Sequence, residues 1–295
     1  MPRCSARSAS RIVSLFEIVP NLSEGRDPSV IDAAAEAVAA SGAVLLHRTS
    51  DPVHHRSVLT IAGDREAVLA AAVALTAVAV ERIDLRRHRG VHPRIGALDV
   101  LPFVPLGDST LEQAADLAHR AGAAIWERFR VPSFYYGAAA RHELRRELPS
   151  VRRGEFEGLT ARFADPAWTP DEGDVAAHQS AGAIAIGARE ILIAFNVLLA
   201  SADLEAARAI ARLVRESGGG LRSLRALAFP AGDRHVQVSL NVTNYAATPL
   251  YRVVELIRRL AAERGIAVAG SELVGCMPRA AVENTAAYYL GVSHL

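Results

Sequence analysis

The chain has 295 residues, 51% of them apolar and 22% charged, which is enough to bury two ordinary cores or one large one and excludes a disordered protein. Its 33 cations, all arginine, nearly balance 32 carboxylates for a net charge of +1, so the overall field points to neither nucleic acid nor an anionic membrane, and any anion site must be local. Two cysteines, Cys4 and Cys276, give no disulfide framework and fit a reducing cytoplasm, and the longest apolar run, residues 67–80, falls short of the ~20 residues that span a bilayer.

Residues 12–19 read as a strand, followed by a helix that Asp27 caps and Pro28 opens, with Ile31, Ala34, Ala35 and Val38 as its apolar stripe. Residues 43–47 and 57–62 read as strands joined by the polar loop "RTSDPVHHR", residues 65–83 as an Ala-rich helix, 98–104 as a strand and 111–129 as a helix. Up to Val104 this is the order βαββαβ. It starts again at residue 191: a strand to 198, a helix over 202–215 stopped by "GGG", strands at 224–229 and 236–242, a helix over 249–264 with Thr248 as cap, a strand at 266–269 and a last helix over 279–290. The expected fold class is α/β (α+β), two ferredoxin-like βαββαβ subdomains spanning 12–175 and 176–295. Each such unit covers one sheet face with helices, so the two open faces can meet across a substrate crevice.

Chemistry concentrates in "RRHRGVHPRIGALDVLPF", residues 86–103, which carries four arginines and two histidines ahead of an apolar run. His92 lies between Gly90 and Pro93, where a regular helix cannot continue, so its imidazole sits on a stiff turn and is a competent proton shuttle near neutral pH. His88 and His92 share a metal-ligand spacing, but the helix that spacing needs is broken and the glutamate of H-E-x-x-H is missing, so no metal is expected. Arg86, Arg87, Arg89 and Arg94 are either a solvated face or a carboxylate patch. Asp51, beside His54, His55 and Arg56, is either an Asp-Pro turn or a carboxylate that orients an imidazole. P-loop, dinucleotide and nucleophile-elbow motifs are missing.

"VPNLSEGRD" (19–27), "SDPVHHRSVLT" (50–60), "RGVHPRIGALDVLPFVPL" (89–106), "VPSFYYGAAA" (131–140), "RRGEFEGL" (152–159), "GAREILIAFNVLL" (187–199) and "GSELVGCMP" (270–278) together resemble the glutamate formimidoyltransferase family. The resemblance runs in order over residues 16–290 and leaves no room for the cyclodeaminase domain fused to it in animals. It implies a cytoplasmic, usually homodimeric, two-subdomain enzyme of histidine degradation. That enzyme moves the formimino group of N-formimino-L-glutamate to N5 of tetrahydrofolate, its co-substrate, which lies between the subdomains. Asp51, from its place beside the histidines, is the candidate catalytic partner, and the resemblance marks His92 as the catalytic acid/base. It places Asn21, Glu24, His54, Arg56, Arg94, Arg189 and Asn196, with Gly173, His178 and Gly182 of the 173–182 stretch, at substrate or folate. Both reactants carry carboxylates, which gives Arg56, Arg94 and Arg189 bidentate work. The chain departs from the family at His55, where many relatives have Asn, and at Thr49, where animal enzymes have a carboxylate. Formyl transfer between glutamate and a folate, and a folate-binding protein without activity, are the alternatives.

Overall fold

A computed structural model of the chain describes residues 14–90 and 92–293; Ile12 and Val13 of the first expected strand lie outside them. The N-terminal unit begins with β1 (Leu15–Ile18) and β2 (Asn21–Leu22), two pieces of one interrupted strand, then α1 (Pro28–Ala40), β3 (Val44–Asp51), β4 (Arg56–Asp64), α2 (Arg65–Arg82) and β5 (Leu98–Leu106). α1 starts where Asp27 accepts the Ser29 N–H at 2.9 Å, as its sequence position requires. The sheet order β3-β4-(β1,β2)-β5, antiparallel throughout, is the ferredoxin-like arrangement.

This unit then continues. After α3 (Leu111–Phe129) come β6 (Ser133–Gly137), the short helices α4 (Leu148–Val151) and α5 (Glu155–Arg162), and β7 (Ile184–Ala188). β7 lies parallel to β5 and to β6, between them, and so belongs to the first sheet. The chain therefore changes sheets between Ala188 and Ile193, later than the 175/176 division expected from its Pro- and Gly-rich stretch. The second unit has the repeat expected of it: β8 (Ile193–Leu199), α6 (Leu204–Val214), β9 (Leu224–Pro230), β10 (Val236–Val242), α7 (Leu250–Ala262), β11 (Val268–Val274) and α8 (Arg279–Leu290), with sheet order β11-β8-β10-β9. Thr248 does not cap α7; its hydroxyl is drawn to the Arg222 carbonyl at 2.6 Å, and Pro249 takes the cap position. No helix among the described residues is long and apolar enough to cross a membrane.

One face of the first sheet sends Phe16, Ile18, Leu59, Ile61, Leu101 and Phe103 into the helices α1–α3. On the other face, α4 and α5 cover only the β5–β7–β6 end, through Val100, Phe134, Tyr136, Val151 and Leu159. β1 and β4 are left uncovered there, with Glu17, Thr60 and Arg56 on the open side by strand alternation. The second sheet likewise buries Val197, Val238 and Leu240 under its helices and turns Asn196, Ser239 and Phe229 the other way. Contacts from turn to strand join the two open faces: His54 meets Phe229 ring to ring at 5.5 Å, and Glu147 pairs with Arg225 at 2.7 Å.

Candidate active site

The site forms where the register of β2 against β5 slips. Asn21 pairs with Val100 and Leu22 with Leu98, which leaves Asp99 as an extra residue in the ladder. Its carboxylate is fully buried and carries three bonds: from the Ile95 N–H at 2.8 Å, from Arg56 Nη1 at 2.8 Å and from Arg152 Nη2 at 2.5 Å. Burial pushes this carboxyl up, but Arg152 and Arg56 outweigh it and hold it below the usual carboxylate range. Arg56 is fixed on its other edge by Asn21 Oδ1, which accepts from Nε at 3.0 Å and from Nη2 at 2.6 Å. Burial, then the nearby Arg152, lower even this guanidinium to about 10.

His92 stands against this cluster. Its Nδ1 is 3.0 Å from Arg56 Nη1 and 2.8 Å from the Pro93 carbonyl. Arginine only donates and a carbonyl only accepts, so the first contact needs a bare Nδ1 and the second an Nδ1–H. The two neutral tautomers thus each have a partner, one leaving Nε2 as a base and the other placing a proton there. Burial first, then the charges of Arg56 and Arg152, push the imidazole down to about 3, so it is neutral at physiological pH.

Asp51 does orient an imidazole, but that of His54, whose Nδ1 is 2.5 Å from Oδ2; Asp51 Oδ1 also accepts the backbone N–H groups of Val53 and His54. No hydrogen bond joins Asp51 to His92, whose ring centre is 6.2 Å from that of His54. Glu24 Oε1 accepts the backbone N–H groups of Gly25, Arg26 and Asp27, which makes this carboxylate a clamp of the 24–27 turn. His55, in the left-handed region at φ 52°, accepts from the Gly25 N–H at 3.1 Å and stacks on His88 at 4.2 Å.

Arg94 is not free to meet a substrate carboxylate, contrary to expectation. Its guanidinium grips Glu157 with both Nη groups, at 2.7 and 2.9 Å, and Glu155 at 2.9 Å, while Nε donates to His88 Nδ1 at 3.1 Å. That last bond leaves His88 Nε2 to donate to the His55 carbonyl at 3.0 Å. The two histidines with metal-like spacing therefore do separate work, and the arginine closes the 88–94 loop onto α5. Arg56 is committed too, to Asn21, Asp99 and His92.

The 173–182 stretch forms a small hairpin, His178 against Gly182, laid beside the start of β5. Gly182 has φ 69°, and a Cβ there would come within 2.1 Å of the Ile95 carbonyl oxygen, so only glycine lets the hairpin support the residue whose N–H holds Asp99. Gly173 lies against Trp126, and the stretch lines a cavity of about 390 Å³ with Arg86, Trp126 and Arg130, which His92 does not line. Arg189 interacts with the Tyr136 hydroxyl and faces Glu17, whose carboxyl burial raises despite that charge. Asn196, on the second sheet, donates to Glu272 at 3.0 Å.

Sequence reasoning missed Asp99 and Arg152. A lone carboxylate inside the apolar run "GALDVLPF" was the available signal, because an acid in a buried strand must be paired.

Residues 15–189 match the N-terminal subdomain of the formiminotransferase domain, and residues 194–295 match the formiminotransferase domain that follows it. The chain belongs to the formiminotransferase family. It is 40% identical to the glutamate formimidoyltransferase of Streptococcus pyogenes serotype M1 over 283 residues, 95% of each chain. It is 41% identical to that of Thermoplasma acidophilum over 282 residues, 94% of this chain and 93% of the other. The formimidoyltransferase-cyclodeaminase of Rattus norvegicus is 38% identical over 93% of this chain, which spans 52% of that longer protein. This formiminotransferase-family protein is a transferase whose two family segments coincide with its two sheets.

Proposed function

We propose that the protein transfers the formimino group of N-formimino-L-glutamate to N5 of tetrahydrofolate, a step of histidine degradation, with His92 as general acid/base. The reading is supported above all by the neutral His92 imidazole with a partner for each tautomer, set beside His54, which meets Phe229 of the second sheet, in a formiminotransferase-family chain. N5 attacks the amidine carbon and its proton passes to a bare Nε2. The tetrahedral adduct then breaks its bond to the glutamate nitrogen, which takes a proton from the imidazolium and leaves as the amine. The imidazole is thereby restored. Proton transfer of this kind contributes ~10²–10⁴ in rate, and holding two reactants together supplies the rest.

The test follows 5-formimino-tetrahydrofolate as formiminoglutamate and tetrahydrofolate are mixed with the wild type and with His92→Ala. Turnover that falls ~10²-fold or more in the variant is expected. Tight folate binding without turnover by the wild type would defeat the enzyme reading, and an undiminished variant rate would defeat the role of His92. N-formylglutamate in place of the donor measures the preference for imine over oxygen.

A further inference from the structure

The cluster beside His92 sets two guanidiniums against one carboxylate. One positive charge is therefore left over in a place largely shielded from water, with the side chains of Arg56 and Arg152 only 12% and 14% exposed. The acids nearest in sequence, Glu155 and Glu157, make their side-chain bonds to Arg94 and none to Arg56 or Arg152, so the surplus belongs to the hydrogen-bonded cluster around Asp99. The donors are unevenly spent. Arg56 commits Nε and Nη2 to Asn21 and Nη1 to Asp99 and His92. The Arg152 side chain makes one hydrogen bond among the described residues, from Nη2 to Asp99, and its Nε–H is buried without a partner. A buried N–H and a surplus charge both call for an anion.

We propose that Arg152 is the receptor for a carboxylate of the amino-acid donor, bound beside His92 between the two sheets. This rests on the transfer reading for the identity of the donor. The donor and not the folate tail fits because one donor carboxylate is borne on the carbon next to the formimino nitrogen, so it must lie close to the acid/base. The glutamate of a folate is separated from N5 by the aminobenzoyl group. Arg152 presents a fork suited to a carboxylate, and Asp99 keeps that fork aimed.

Binding then acts on His92. The charged or titratable groups that face this imidazole are Arg56 from β4, Asp99 from β5, Arg152 from the turn after α4, and His54 from the β3–β4 turn with Asp51 behind it. A bound carboxylate cancels the surplus charge among them, and the imidazole gains proton affinity only when a donor is in place. By linkage, protonation of His92 and donor binding favour each other.

The experiment titrates the full chain with N-acetyl-L-glutamate, which keeps the donor's carboxylates but has no group to transfer, and with p-aminobenzoyl-L-glutamate, which mimics the folate tail. The proteins are the wild type, Arg152→Gln and Arg152→Lys. Arg152→Gln is expected to weaken N-acetyl-L-glutamate about tenfold or more and Arg152→Lys less, with p-aminobenzoyl-L-glutamate unchanged. In turnover, KM for the donor rises in Arg152→Gln and the acid limb of kcat/KM moves to higher pH, because one charge that keeps His92 unprotonated is gone. A purely structural tether would lower the melting temperature and move neither. The wild type alone gives a second readout: calorimetry on the acid limb of kcat/KM, in two buffers of different ionisation heat, should show proton uptake with N-acetyl-L-glutamate, and no uptake there overturns the link to His92. Unchanged N-acetyl-L-glutamate binding in Arg152→Gln, or a loss confined to p-aminobenzoyl-L-glutamate, overturns the proposal. A wild type that binds N-acetyl-L-glutamate through Arg152 but turns over no formiminoglutamate upholds the carboxylate site and defeats the transfer reading.

Discussion

Asp99 is the residue on which the others depend. It lies at the slip between β2 and β5, holds Arg56 and Arg152 at one carboxylate oxygen, and through Arg56 fixes the partner of His92 Nδ1. Asp99→Asn keeps the shape but leaves two buried guanidiniums facing each other without a counter-charge. Breaking a buried ion pair in this way costs about 3–5 kcal/mol, and urea denaturation should show a loss of that order together with a collapse of turnover. A loss under ~1 kcal/mol would show that water already neutralises the cluster. None of this partnership is visible in charge spacing. Arg94 and Arg152 look alike in the sequence, and the acids that consume Arg94 lie 61 and 63 residues away. His92 could not be separated from nine other histidines by spacing; the family resemblance singled it out, and its Arg56 and Pro93 partners become visible only in the fold.

At the scale of elements, the readable parts were those with a period or a helix-forming composition. The helix over residues 111–129 carries its apolar stripe in the sequence and opens on a reciprocal box between Thr110 and Gln113, whereas that over 65–82 is legible from its alanine content and is capped by Asp64, which accepts from Ala67 N–H. β6 and β7 have no such signature. "SFYYG" and "IAIGA" are covered on both faces, so no polar alternation marks them, and their parallel pairing joins residues some fifty positions apart, Ser133 to Ile184. The subdomain boundary was misplaced for that reason. The insertion of β7 also explains the glycines at its approach, since the hairpin before it must pass against the backbone of residues 95–96. Gly182→Ala should cost at least ~2 kcal/mol, because it combines a left-handed φ with a Cβ driven into the Ile95 carbonyl. Its activity should fall as well, since the Ile95 N–H anchors Asp99. A variant with an unchanged melting temperature and full activity would show that the hairpin does not support the site.

For the whole molecule, a net charge of +1 conceals a marked local imbalance, and acid should expose it. His92 is held neutral in the fold down to about 3, first by burial and then by Arg56 and Arg152, whereas in the unfolded chain it takes a proton near the ordinary histidine value of 6.5. Above that value neither state binds the proton and His92 adds nothing to the pH dependence. Below it the unfolded state binds the proton and the native state does not, so stability drops as pH falls from 6.5 towards 3. His55, His88 and His178 are also shifted down, each chiefly by burial, and act in the same direction. The wild type should therefore lose stability steeply across this window. In His92→Asn the slope should be shallower by about one proton, or ~1.4 kcal/mol per pH unit. Urea denaturation at several pH values between 6.5 and 4 measures both slopes. The comparison is of slopes, so any cost of the substitution itself cancels. Parallel lines for the two proteins would mean that His92 binds its proton in the fold as it does in the unfolded chain, so that burial and the two guanidiniums do not hold it neutral.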